Sequence, residues 1–426
     1  MKKLTDYTSE ELAAFEKVAQ AQYQHYCDMG ISLNMARGKP STEQLDISDF
    51  LLNANKERIG VKAEDGTDCR NYGDLCGIPE CRRLFAEMLG VDAGNVIACG
   101  NSSLSLMYDY ISQCCTHGVA GGEPWIYDKK RKFIAVVPGY DRHFAIAEHF
   151  GFELVNVPMT DEGPDMGAVN ELIKDSSVKG MFCVPKYSNP DGVTYSQKTV
   201  EMLSAMQPAA RDFRVIWDEA YIVHDLYEEK DELANVFDVA KKYGTEDRFI
   251  AFASTSKITF AGAGIAAMAA SSRNIEEILK RLGLQIISYD KINQLVHAHF
   301  FKNLNDIKAQ MEKHAQILRP KFDTVLSVFE KELGGLGIAV WSKPRGGYFI
   351  SLDVMTGSAK YVGELCRKCG LVLTNVGATF PYGKDPNDRN IRLAPSYPSC
   401  GELENAAEIV AACVKLAAVR EINRER

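Results

Sequence analysis

The sequence predicts an α/β protein: a large, mostly parallel sheet with helices on both faces, followed by a smaller α/β domain. Three patterns carry this. From Asn95 to Ser271, short apolar runs alternate with helical patterns. A long amphipathic stretch, from "NIEEILKRLGLQ" to "VFEKEL", is helical by its apolar spacing and charged faces. Beyond it, "IAVWSKPRGGYFISLDV", "LVLTNVGATFP" and "NIRLAP" read as strands of a second, smaller unit.

In order, "NVIAC" precedes the helical "SLSLMYDYISQCC", and "KFIAVVP" precedes "DRHFAIAEHFG". Then come "ELVNVPM", "VKGMFCVP", "FRVIWDEAY" and "RFIAFAS". Strands separated by helices make βαβ units and a parallel sheet. The division expected is a large domain over residues 55–305 and a small domain from 1–54 with 306–426. The N-terminal "MKKLTDYTSEELAAFEKVAQ" reads as a capped amphipathic helix that packs on the small domain.

Composition narrows the class. The 426 residues are 46% hydrophobic and 25% charged, as in an ordinary globular protein with a large core. The net charge of −8 argues against a nucleic-acid or anionic-membrane partner, since both reward a basic face. The N-terminus has no apolar h-region, and no run approaches the ~18 apolar residues that span a bilayer. A cytoplasmic protein is expected. The 12 cysteines are scattered, so reduced thiols are the simplest account. The Cys366–Cys369 C-x-x-C has no second pair or His pair nearby and reads as part of a helix closed by Gly370. No metal is expected.

In a parallel sheet, ligands bind beyond the carboxyl ends of the strands. Lys257 is the single charged residue of "FIAFASTSKITFAGAGIAAMAAS" and follows a buried strand. It is either a solvated loop lysine or an amine whose surroundings lower its pKa so that it attacks a carbonyl. After "NVIAC", Asn101, Ser102 and Ser103 open a helix, where free N–H groups favour a phosphate, although Ser and Asn also cap helices for structural reasons. Tyr140 offers a ring for stacking, and "KYSNPDG" places Asn189 in a turn. In "DEAY", Asp218 ends an apolar strand with Tyr221 three residues on. A carboxylate there either caps a helix or faces a cationic ring nitrogen. An aldehyde for Lys257, a protonated heterocycle for Asp218, a hydroxyl for Asn189 and Tyr221 and a phosphate for the serines together describe pyridoxal 5′-phosphate.

The same motifs resemble the class I aminotransferases of fold type I, and among them the type I-c aspartate aminotransferases. The resemblance runs from "NMARGKPS" to "IRLAPSYP". It implies a mostly parallel seven-stranded large-domain sheet and transfer of an amino group from L-aspartate to 2-oxoglutarate. Lys257 is then the Schiff-base lysine and the proton-moving base, Asp218 the partner of the pyridine nitrogen, and Tyr221 and Asn189 the partners of the phenolic oxygen. Tyr140 stacks on the ring, and Ser254 and Ser256 of "STSK" join Ser102 and Ser103 at the phosphate. Arg392 of "NIRLAP" matches the arginine that grips the substrate α-carboxylate. Tyr72 of "NYGDLCGIPECR" matches a tyrosine that reaches the neighbouring subunit's phosphate, which implies a homodimer with shared sites. Arg37 is the candidate for a distal carboxylate, with Gly38 leaving room for substrate. One departure stands out: the family's phosphate-binding arginine seven or eight residues after the lysine is replaced here by Gly264 and Ile265.

Other readings on this fold are aromatic or aminoadipate aminotransferases and β-lyases, because fold does not set substrate. A cofactor-sensing transcription regulator is disfavoured by the lack of a basic helix-turn-helix ahead of "NMARGKP". No G-x-G-x-x-G follows a strand, so a dinucleotide-binding protein is not supported.

Overall fold

A computed structural model describes residues 2–426. Its strands are β1 (Leu33–Asn34), β2 (Val96–Ala98), β3 (Lys132–Val137), β4 (Glu153–Thr160), β5 (Gly163–Pro164), β6 (Val178–Cys183) and β7 (Arg214–Asp218). They continue with β8 (Phe249–Ser254), β9 (Ala266–Ala270), β10 (Ala339–Trp341), β11 (Ile350–Val354), β12 (Leu371–Val372) and β13 (Asn390–Leu393).

The large sheet has the order β2-β9-β8-β7-β6-β3-β4-β5. Neighbours from β8 to β4 pair in parallel, and β9 runs antiparallel between β8 and β2. β6, β7 and β9 are buried at every residue, as expected where helices cover both faces. Two apolar clusters cover those faces, one around Trp217, Phe249 and Phe85, the other around Phe133, Phe252 and Trp125. The sheet has eight strands rather than the expected seven. The extra one, β5, is a Gly-Pro pair that folds back on the end of β4 (Thr160↔Gly163), too short to leave any apolar period in the sequence.

A third cluster packs β11 and β13 against the helices Leu304–Leu333 and Cys400–Glu425. The N-terminal helix Ser9–Asp28, closed by a Thr8–Glu11 capping box, joins it by packing on Cys400–Glu425. β1 pairs in parallel with β12 (Leu33↔Leu371), so the segment after the N-terminal helix lies beside residues 371–375. The helix Leu304–Leu333 feeds two clusters, with Ile307 and Met311 in one and Leu318 onward in the other.

The cysteines depart from the all-reduced expectation. Cys27 and Cys369 form a disulfide across a sequence separation of 342 residues. The pairing arises from how the N-terminal helix meets the helix Ala359–Lys368, which spacing along the chain does not reveal. Cys366 is buried beside Cys413 instead. Among the described residues no group of three or more His, Cys, Asp or Glu is placed to hold a metal, and no helix is long and apolar enough to cross a membrane.

Candidate active site

The carboxyl ends of β3, β6, β7 and β8 open on one cavity of about 690 Å³, closed on its far side by residues of the smaller sheets. Its wall includes Ser102, Ser103, Tyr140, Asn189, Asp218, Tyr221, Ser254, Ser256 and Lys257 from the large sheet's side. Arg37, Gly38, Phe349, Thr374 and Arg392 come from the other.

β7 is apolar from Val215 to Trp217 and ends on Asp218, which is 3% exposed. Its Oδ2 accepts a hydrogen bond from His143 Nε2 at 3.0 Å, while Oδ1 has no partner. His143 stacks on Phe182 (ring centres 4.5 Å apart, 10° between planes) and meets the edge of Tyr140 at 4.9 Å. A buried carboxylate oxygen without a donor is costly, so this one calls for a cationic or N–H-bearing ligand.

Lys257 lies on the turn after β8, with Nζ 4.9 Å from the Tyr221 ring centre. Burial lowers its pKa, and the Asp218 charge pulls weakly the other way. That favours a neutral amine. The loop is braced from both sides. Thr255 N donates to Ile265 O at 2.7 Å, and Ile265 N donates to Thr255 Oγ1 at 2.9 Å. His314 Nε2 donates to Ile258 O at 2.9 Å, which leaves its Nδ1 to accept from Gln44 Nε2 at 3.1 Å. Gln44 also donates to Tyr348 OH at 2.9 Å.

Hydroxyls gather at the opposite end. Ser254 Oγ donates to Ser256 Oγ at 3.0 Å, and Ser256 Oγ to Asn101 O at 3.3 Å. Ser102 caps the helix Ser103–His117 by accepting from Ser105 N. Asn101 does not line the cavity; its Nδ2 braces the lysine loop through Gly262 O at 3.1 Å. On the facing wall of the cavity, Arg392 is 7% exposed and donates through Nη1 to Asn189 Oδ1 at 3.2 Å and to Asp141 Oδ1 at 2.9 Å. Phe349 lies under its guanidinium at 5.0 Å. A Cβ on Gly38 would stand 2.6 Å from Phe349 Cζ, so the glycine makes room for that ring rather than for substrate directly. Arg37 lines the cavity wall, and Tyr72, 77% exposed, does not line it within one chain.

Residues 7–426 match the family model described as aspartate amino-transferase. An aspartate aminotransferase of Corynebacterium glutamicum is 45% identical over 97% of this chain and 96% of its own length. The chain belongs to the aspartate aminotransferase family. The crystal structure of an aspartate transaminase from Corynebacterium glutamicum superposes with a TM-score of 0.96 at 44% identity, covering 99% of both chains. At 17% identity the fold alone is shared with the Thermus thermophilus α-aminoadipate aminotransferase, solved with N-(5′-phosphopyridoxyl)-L-leucine (TM-score 0.70; 93% and 94% covered).

As an aminotransferase of fold type I, the chain uses pyridoxal 5′-phosphate, and its residues fit that group. The unpaired Asp218 Oδ1 suits a protonated ring nitrogen, the depressed Lys257 amine an aldehyde, and the serine cluster at a helix N-terminus a phosphate. The absent arginine has a steric reason. A side chain at Gly264 would meet Phe260 O and Thr255 Oγ1 at 2.8 Å, and Ile265 is 1% exposed in the core. Sequence reasoning missed His143, Asp141, Thr374 and Phe349. The helical spacing of Tyr140 and His143 was the one available signal, since residues three apart share a helix face.

Proposed function

We propose that this aminotransferase moves the amino group of L-aspartate to 2-oxoglutarate, giving oxaloacetate and L-glutamate, with the cofactor bound through Lys257. The observation that carries the chemistry is Asp218. Asp218, with one buried oxygen left without a partner, lines the same cavity as an amine held below its ordinary pKa. Bound pyridoxal 5′-phosphate supplies an electron sink for the electrons left on the substrate's Cα. Lys257 would hold the cofactor's aldehyde and, as a neutral amine, would take and return the proton at the substrate's Cα. Asp218, oriented by His143, would hold the ring nitrogen in its protonated form. Tyr221 and Asn189 would hold the phenolic oxygen, Tyr140 would restrain the ring, and Ser102, Ser103, Ser254 and Ser256 would share the phosphate.

Arg392 takes the α-carboxylate in a planar, two-point pair that a lysine does not reproduce. A second carboxylate needs a second cation, and Arg37 lines the same cavity. The relative that is 45% identical carries the name aspartate aminotransferase, which supports a dicarboxylic donor. Tyr72 is assigned to the phosphate of a second copy, and the functional unit to a homodimer.

The test is an amino-donor panel on purified protein with 2-oxoglutarate as acceptor. Aspartate should lead. Arg37→Ala should lower kcat/KM for aspartate by the equivalent of about 2–5 kcal/mol and leave alanine nearly unchanged. A wild-type preference for aromatic or aliphatic donors overturns the dicarboxylate assignment. Ammonia release without an oxo-acid acceptor would make the protein a lyase.

A further inference from the structure

We infer that Asp141 is a built-in stand-in for the substrate's α-carboxylate: it neutralises Arg392 in the empty site and competes with every substrate for it. The inference rests on the reading that Arg392 binds the α-carboxylate.

A guanidinium has five N–H groups. Both on Nη1 are engaged, by Asp141 Oδ1 at 2.9 Å and Asn189 Oδ1 at 3.2 Å. Nε makes a long contact to Thr374 Oγ1 at 3.4 Å, and Nη2 makes none among the described residues. An arriving carboxylate that pairs end-on through Nη1 and Nη2 must therefore displace Asp141, or displace Asn189 and lie beside Asp141. One that pairs side-on leaves two carboxylates on one cation that is itself 7% exposed. Like charges at that spacing repel, so either geometry makes Asp141 an opponent of binding.

Two features suit Asp141 to yield. Its side chain is 32% exposed, against 7% for Arg392, so it has water to turn to. It is also the first residue of the helix Asp141–His149, where the free N–H groups stabilise a carboxylate without Arg392. Without Asp141, Arg392 would be a nearly buried cation facing only neutral groups whenever the site is empty. The anion thus balances the guanidinium's charge and keeps it aimed between turnovers, and its displacement opposes amino and oxo acids alike.

The test uses the holoenzyme and two ligands that cannot react: succinate, and propionate, which has a single carboxylate. Asp141→Asn keeps an oxygen acceptor at the same place and removes only the charge. Calorimetric titration should show both ligands binding about tenfold more tightly to it, the scale of one charge-assisted bond. KM for aspartate and for 2-oxoglutarate should fall by the same factor while kcat does not rise, the signature of uniform binding. In an Arg392→Lys background the gain should vanish. Asp141→Ser serves equally if the Asn variant fails to retain cofactor.

Unchanged or weaker binding in Asp141→Asn, with Arg392→Lys weakening both ligands, overturns the inference and leaves the Arg392 reading standing. A gain for succinate alone places Asp141 at the distal carboxylate and also overturns it. Binding indifferent to Arg392→Lys removes the Arg392 reading, and the inference with it.

Discussion

Two adjacent carboxylates follow the apolar run of β7, and the protein treats them oppositely. Asp218 lines the cavity, with His143 on one oxygen and no partner on the other. Glu219 is buried away from the cavity, with Oε1 accepting from Trp217 Nε1 at 2.9 Å. Burial pushes its pKa up to about 7, partly opposed by the Trp217 hydrogen bond. Between pH 4.5 and about 7 the folded state holds a proton that the unfolded state has lost, so this residue's contribution to stability falls as pH rises through that window. Glu219→Gln keeps the Trp217 bond and removes the titration. It should stabilise the protein by roughly 3 kcal/mol at pH 8 and by little at pH 4.5, read from urea unfolding. A loss of stability at pH 8 would contradict the burial account. Asp218 was legible in the sequence because an acid ending an apolar strand is conspicuous. His143 was not, because a single histidine at the start of a helix has many ordinary roles.

At the scale of elements, the proposed phosphate end of the site lies where β8 ends and the helix Ser103–His117 begins. Hydroxyls and helix N–H groups stand there in place of an arginine. Gly264 belongs to the tight return from the lysine loop to β9, against Thr255 and Phe260. Gly264→Arg should therefore displace the loop and weaken cofactor retention, rather than add a charge to the phosphate. Ser254→Ala removes one partner of a phosphate that carries about −1.5 to −2 charge and should weaken retention about tenfold or more. Equilibrium dialysis of pyridoxal 5′-phosphate reads both, and tighter binding by Gly264→Arg would refute the steric account. The strands that build this region were legible from their apolar runs. The crowding at Gly264 was not, because it comes from the path of the loop.

For the whole molecule, the exposed Tyr72, Leu284 and Ile287, at 77%, 89% and 64%, are large apolar or aromatic groups left uncovered in one chain. A symmetric dimer that covers Tyr72 would carry it from each subunit into the other's cavity. Lys257→Ala and Tyr72→Phe subunits, each impaired alone, should then complement when mixed, because one site of the hybrid has Lys257 from one chain and Tyr72 from the other. Recovered activity on mixing is the expected result. An active monomer in sedimentation would exclude the shared site.

The sequence by itself determined the parallel α/β sheet, the positions where its strands end and the chemistry of the groups placed there. These follow from local properties: apolar runs of strand length, glycine- and serine-rich turns, and a lone lysine or aspartate at a strand end. Tertiary structure alone decided that His143 orients Asp218, that Asp141 and Arg392 meet across 251 residues, and that Cys27 reaches Cys369 across 342. It also decided that Gly38 yields its space to Phe349 and that a Gly-Pro pair extends the sheet. Charge pairing and close approach depend on which crossovers bring two segments together, and no period in the chain records that.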